Sequence, residues 1–207
     1  MSARKPPVSE SAQMKSEELL REPVRIDLPV DGPEVPAYPL NARVGLLSDS
    51  HGQAARTRAA VEVLVAQGVQ VLLHLGDVCS MTVLDALAGL EGQCDVRVVF
   101  GNCDHDWRGL AEYARFLGIK VDHPVGRIRV GKDLIVFAHG DDVAHVRGAL
   151  RDGVRYFCHG HTHEARDLRE NATRIINPGA LHRSASYTVA LLEPATDRLV
   201  WIPVHGD

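Results

Sequence analysis

The stretch Leu46-Leu47-Ser48-Asp49-Ser50-His51-Gly52 decides how this chain is read. A short apolar run, Val44 to Leu47, ends in an acid, and a histidine follows two residues later. In extended backbone, residues i and i+2 point to one face. Asp49 and His51 are therefore expected to grip one metal ion between an oxygen and an imidazole nitrogen. Gly52 lets the backbone turn sharply beyond them. Alone, the pattern is also that of an ordinary turn or helix cap built on Asp49. The rest of the chain decides between the two.

Outward from this stretch, strand and helix patterns alternate. Val44–Leu47 reads as a strand and 53–67 as a helix, with Ala60, Val61, Leu64 and Val65 on one side. The run 69–74 reads as a second strand, followed by Gly76-Asp77 and a helix near Met81–Leu87. A third strand, 96–100, ends in Gly101-Asn102. This βαβαβ rhythm predicts a parallel sheet with right-handed crossovers. Ligands of such sheets gather beyond the carboxyl ends of the strands, where Asp49, Asp77 and Asn102 all fall. The second half is strand-rich: 113–121 reads as a helix end, and 143–150 as a helix. Strands are expected at 127–130, 134–137, 154–158, 164–169, 173–176, 187–192 and 199–202. Two sheets packed face to face, with helices outside, accommodate both halves; the fold class is α/β.

Two histidine clusters also follow strands. Leu134 to Ala138 leads into His139-Gly140, and Tyr156 to Cys158 into His159-Gly160-His161-Thr162-His163. His161 and His163 repeat the spacing of Asp49 and His51. One such pair could be coincidence in a chain with 11 histidines. Two pairs, joined by Asp77, Asn102 and His139, predict a metal site.

Composition bounds the alternatives. The chain has 207 residues, 45% hydrophobic and 24% charged, enough for one domain with a sizeable core. A net charge of −4 advertises neither nucleic acid nor an anionic membrane as a partner. No apolar run approaches the ~20 residues that cross a bilayer, and Met1 to Glu10 lacks the apolar centre of a secretory signal. Cys79, Cys94, Cys103 and Cys158 have no paired spacing, so free thiols in a reducing, cytoplasmic setting are expected. Seven of the 11 prolines lie at positions 6, 7, 23, 29, 33, 36 and 39. Residues 1–42 therefore read as an appended Pro-rich extension, with one domain spanning 43–207.

The ordered set Asp-x-His, Gly-Asp, Gly-Asn, His-Gly and Gly-His-Thr-His resembles the calcineurin-like metallophosphoesterases. Gly101-Asn102-Cys103-Asp104 and Asn177-Pro178-Gly179 are similar to the compact YfcE-type phosphodiesterase branch. The resemblance implies a four-layer αββα sandwich of two mixed sheets and a dinuclear centre of two divalent transition metal ions. It further implies that Asp49, His51 and His163 hold one ion and Asn102, His139 and His161 the other, with Asp77 bridging. The nitrogen and oxygen donors suit Mn²⁺ (manganese), Fe, Ni²⁺ or Zn²⁺. Two such ions acidify a shared water, and the hydroxide attacks phosphorus in line. The implied partner is a small-molecule phosphate ester, preferably a diester; homo-oligomerisation stays open. Many relatives carry a histidine after Gly-Asn to protonate the leaving oxygen. Cys103 stands there instead, a poorer general acid, and it joins the seven donors in the expected catalytic set. Ala180 replaces a serine usual in the branch. The alternatives are a phosphomonoesterase or a protein-binding scaffold, as in retromer relatives whose metal site is degraded.

Other polar residues carry weaker signals. His74 is expected inside a strand, donating a hydrogen bond. His159 alternates away from the His161/His163 face. His105 could substitute for Cys103, but reads more simply as a surface residue. Asp104 is expected to orient a ligand or a neighbouring loop rather than touch metal. Asp141, Asp142 and His145 fit either a pocket lining or a capped helix start. Arg183 fits either a phosphate contact or plain surface, and His123, His182 and His205 have no motif around them.

Overall fold

The computed structural model describes residues 35–205, in two six-stranded mixed sheets with helices on both outer faces. In the first sheet β2 (Val44–Leu47), β3 (Val71–Leu75), β4 (Asp95–Val99) and β5 (Lys120–Val121) run parallel. The antiparallel hairpin of β11 (Thr188–Glu193) and β12 (Arg198–Pro203) completes it, with β11 against β2. Crossovers pass through α1 (Ala54–Ala66), α2 (Met81–Leu87) and α3 (Trp107–Phe116). Every residue of β2 and β3 is buried, as expected of parallel strands covered on both faces.

The second sheet has the order β1-β6-β7-β8-β10-β9. It comprises β1 (Ala37–Tyr38), β6 (Val125–Val130), β7 (Asp133–Ala138), β8 (Tyr156–Cys158), β9 (Arg166–Glu170) and β10 (Thr173–Asn177), with α4 (Val143–Arg151) outside. Side-chain alternation along the strands divides the core. Leu46, Leu73, Leu75 and Val99 pack inward against Ile128, Ile135, Phe137 and Tyr156 of the other sheet. Leu47, Leu72 and Val98 pack outward under α1 to α3, and Val136, Phe157 and Ile175 lie under α4 with Ala149.

Two buried arginines pin the sheets together at opposite edges. Arg97 on β4 binds Asp122 at 2.8 Å and Asp95 at 3.1 Å, and Tyr38 of β1 hydrogen-bonds Asp95. Arg174 on β10 binds Asp197, in the turn between β11 and β12, at 2.6 Å and Asp167 at 2.8 Å. Most of the expected N-terminal extension lies outside the described residues. Its last part includes Ala37–Tyr38, which pairs with Arg129 and Val130.

Most elements match the sequence reading; β1 is not among the strands expected from it, β5 lies inside the stretch read as a helix end, and β3, β6 and β8 begin two residues from their expected starts. Helix α3 starts at Trp107, well before the helix end read near Tyr113. Asp106 caps it through the Gly109 N–H, and a glycine in the first turn masks the helical pattern. Strand β9 begins at Arg166 rather than Glu164 and is exposed throughout, so no burial periodicity marks it.

Candidate metal centre

Five loops meet beyond the strand ends, and backbone hydrogen bonds join them. Asp49 and His51 donate their N–H groups to Gly76 O (3.0 Å) and Asp77 O (2.8 Å), and Gly160 donates to His139 O (2.9 Å). The seven expected metal-binding residues converge there in two groups. In one, Asp49 Oδ1 lies 3.3 Å from His163 Nε2 and 4.0 Å from His51 Nε2; the two Nε2 atoms are 3.3 Å apart. In the other, Asn102 Oδ1 lies 3.2 Å from His139 Nε2 and 3.0 Å from His161 Nδ1. Asp77 stands between them, Oδ2 3.3 Å from His51 Nε2 and Oδ1 3.5 Å from His139 Nε2.

The i, i+2 pairs do not share a face for the reason the sequence suggests. Strand β2 ends at Leu47 and β8 at Cys158, so both pairs lie past extended backbone. Asp49, His51, Asp77, His161 and His163 all have positive φ, between 41° and 68°. That region is uncommon for residues other than glycine and clusters at functional sites. Left-handed turns, rather than strand pleat, aim these side chains inward. Close approach also requires glycine: a Cβ on Gly101 would overlap Asp77 Oδ1 and stand 2.6 Å from the His139 ring. One on Gly160 would overlap Ser48 Oγ and lie 2.6 Å from Asp49 Oδ2.

The electrostatics fit a cation. Asp49 is wholly buried, and its Oδ1 has no hydrogen-bond partner. Burial pushes its carboxyl above the ordinary range, with the nearby Ser48 side chain and histidines opposing. A buried carboxylate aimed at two imidazole nitrogens calls for a positive charge. Burial of His139 favours its neutral form, but the Asp77 carboxylate and the Leu75 carbonyl outweigh this and push the imidazole up to about 9. His139 Nδ1 donates to Leu75 O at 2.8 Å, which leaves Nε2 turned toward Asp77 and Asn102.

Surrounding residues hold these loops. Asp104 accepts N–H bonds from Gly101 (2.8 Å), Cys79 (2.7 Å) and Val78 (3.3 Å), tying the loops after β3 and β4. His74, kept neutral by burial with its pKa lowered to about 3, accepts from Gly76 N–H and so donates from Nε2 to Ser50 Oγ at 2.8 Å. Asn177 accepts from Gly179 N–H (2.9 Å) and donates to Gly160 O (2.8 Å) and Thr162 Oγ1 (3.1 Å), bracing the loop that carries His161 and His163. The Asn-Pro-Gly turn was its only sequence signal. The His182 ring, 5.2 Å from that of His51, also borders the site and carried no signal. Cys103 donates its backbone N–H to Asp77 Oδ1 at 2.9 Å, and its thiol accepts from Asn102 Nδ2 at 3.3 Å.

The weaker candidates fall elsewhere. Asp142 caps α4 through the Ala144 N–H, and His145 lies 3.9 Å from it. His159 stacks on Phe157. His123 packs on Trp107 and accepts from Phe100 N–H. His105, Arg183 and His205 are exposed.

Comparison with known proteins bears on the fold. The family model described as the calcineurin-like phosphoesterase superfamily domain matches residues 43–197. Phosphodiesterase MJ0936 of Methanocaldococcus jannaschii is 25% identical over 149 residues, covering 66% of this chain and 82% of that protein. A solved archaeal phosphodiesterase superposes with a TM-score of 0.71 at 22% identity, covering 78% of this chain and 99% of that one. The YfcE phosphoesterase of E. coli gives 0.54 at 17% identity, covering 79% and 100%. Zn²⁺-complexed Vps29 of Entamoeba histolytica gives 0.54 at 20% identity, covering 78% and 98%.

Proposed function

Because the chain belongs to the calcineurin-like phosphoesterase superfamily, we propose that it is a phosphodiesterase working with two divalent transition metal ions. The observation that carries this reading is the Asp77 carboxylate, whose two oxygens face two separate donor groups. On this reading Asp49, His51 and His163 hold one ion, Asn102, His139 and His161 the other, and Asp77 both. The orphaned, buried Asp49 Oδ1 supports the first group, and the His139 tautomer set by Leu75 O supports the second. The mixed nitrogen and oxygen set fits Mn²⁺, Fe, Ni²⁺ or Zn²⁺.

Such ions, when bound, supply Lewis acidity at phosphate oxygens and a water acidic enough to act near neutral pH. The chain's own residues supply position and charge. Positive-φ turns preset the donors, so little reorganisation is needed on binding. Asp104 and Asn177 hold the loops in register from behind. Next to Asn102 the side chain is a thiol, so proton delivery to a poor leaving group is weak. Diesters with stabilised leaving groups are therefore the preferred substrates, a choice in keeping with the phosphodiesterase relative.

The test is turnover by the full chain, loaded with each candidate metal, of an aryl diester, cyclic nucleotides and aryl and alkyl monoesters. Two bound equivalents with highest kcat/KM for the aryl diester is the expected result. Metal-loaded protein inert toward all of them would replace this reading with a protein-binding module of the Vps29 kind. A preference for monoesters would make the protein a phosphatase.

A further inference from the structure

Strand β9 is an open edge of the second sheet: among the described residues only β10 pairs with it. Its five residues, Arg166-Asp167-Leu168-Arg169-Glu170, are all exposed. Edge strands are commonly blunted by proline, bulges or charged side chains. Here there is no proline, and the register with β10 is unbroken over all five residues. The charges, moreover, are complementary to their own reversal. Laid antiparallel on a copy of itself about Leu168, the strand sets Arg166 against Glu170, Asp167 against Arg169, and leucine against leucine.

The backbone has the phase that this pairing needs. Arg174 donates its N–H to Arg155 O at 3.0 Å, and Ile176 O accepts from His159 N–H at 2.9 Å. Both therefore turn their backbone groups toward the β8 side of β10. Residues directly opposite in an antiparallel pair either face each other or face apart. Their partners across β10 are Arg169 and Asp167, so these two point their N–H and C=O groups off the open edge. Two copies joined about Leu168 would exchange backbone hydrogen bonds between Asp167 and Arg169 in both directions. Leu168 would then occupy the non-hydrogen-bonded position, where facing side chains come closest.

The side chains are in keeping with this. Leu168 lies opposite Ile175, part of the apolar cluster under α4, and a second leucine would extend that cluster. Asp167 and Arg169 are held by Arg174 at 2.8 Å and Asp197 at 2.6 Å, so the inner face of the strand is ordered before a partner arrives. We propose that β9 is an interface with a second copy of this chain, paired antiparallel about a two-fold axis at Leu168, so that the two copies' sheets become one.

Sedimentation equilibrium of the full chain over about 1–500 µM tests this. A reversible dimer is expected. Arg166→Glu, which sets two acids opposite each other, should weaken it at least about tenfold, and adding Glu170→Arg should restore it. Independently, Leu168→Cys under mild oxidation should give a covalent dimer, because that pair brings the two Cα atoms to about 4.5 Å, within the span a disulfide bridges. Arg166→Cys, facing Glu170 of the second copy, should not. A chain monomeric at the highest concentration would overturn the proposal. So would a dimer indifferent to Arg166→Glu and not cross-linked through Leu168→Cys.

Discussion

The two oxygens of Asp77 face different histidines: Oδ2 lies 3.3 Å from His51 Nε2, and Oδ1 lies 3.5 Å from His139 Nε2. One buried carboxylate thus belongs to both donor groups, and its own position is set by the Cys103 N–H at 2.9 Å. Burial favours its protonated form, yet the bonds from His139 and Cys103 hold its carboxyl well below the usual carboxylate range. It is ionised at any pH at which the protein would work.

Removing that carboxylate should therefore affect both ions at once. Elemental analysis of the purified full chain should approach two transition-metal equivalents and fall sharply in Asp77→Ala. Loss of a single equivalent would mean that the two groups bind independently and Asp77 is no bridge. Far-UV circular dichroism should be unchanged, because the side chain makes no part of the apolar core.

Asn177 acts at one remove. Three hydrogen bonds of its side chain brace the backbone that carries His161 and His163. Asn177→Ala leaves Gly160 O and Gly179 N–H without these partners in a buried place, a cost of about 1–3 kcal/mol. Metal affinity should fall roughly 10–100-fold through the displaced histidines, while kcat at saturating metal changes less. Unaltered metal affinity in a variant of wild-type stability would remove Asn177 from this role.

Asp197 governs acid stability at the sheet edge. Slight burial raises its pKa, but Arg169, Arg174 and the Tyr156 hydroxyl outweigh this and lower it to about 2. A carboxylate whose folded pKa lies below its unfolded value of ~3.9 stabilises the fold above that value. The contribution fades as pH falls from about 4 toward 2. Asparagine tolerates the positive φ of 54° at this turn, so Asp197→Asn isolates the charge. The variant should be less stable by about 1–2 kcal/mol at pH 7, discounted for partial exposure. Urea melts of both proteins should show that gap holding to about pH 5 and narrowing below pH 4. A gap that is the same at pH 3 as at pH 7 would rule the charge out.

The sequence carried the strands well because they are buried on both faces, as in Val44-Gly45-Leu46-Leu47, and the donors because each follows such a run. How the donors come together was less legible. Asp49 and His51 converge through left-handed turns, which local spacing in one chain does not reveal. Asn177 and His182 act on residues of other loops, 15 or more positions away, and nothing local marks such contacts. Strand β9 has no buried face, so its place in the sheet comes from its pairing with β10 alone.

Cys103 tests the chemistry rather than the fold. Its backbone N–H donates to Asp77 Oδ1 and its thiol accepts from Asn102 Nδ2; substitution of the side chain keeps the first bond and removes the second, together with the thiol's contact to the Asp77 carboxylate. Breaking a phosphate ester places negative charge on the leaving oxygen. An aryl group stabilises that charge itself, whereas an alkyl or sugar oxygen needs a proton. A placed general acid typically contributes ~10²–10⁴-fold, and the Cys103 thiol, made a weaker acid than usual by burial and the Asp77 carboxylate, supplies little of it. Cys103→Ala should therefore leave aryl diester turnover within about threefold of wild type. Cys103→His should raise kcat/KM for alkyl monoesters by up to ~10²-fold with metal content unchanged, and should gain much less on aryl diesters. If Cys103→Ala abolishes diester hydrolysis while both metal equivalents stay bound, the thiol itself takes part in the reaction and the weak-acid account fails.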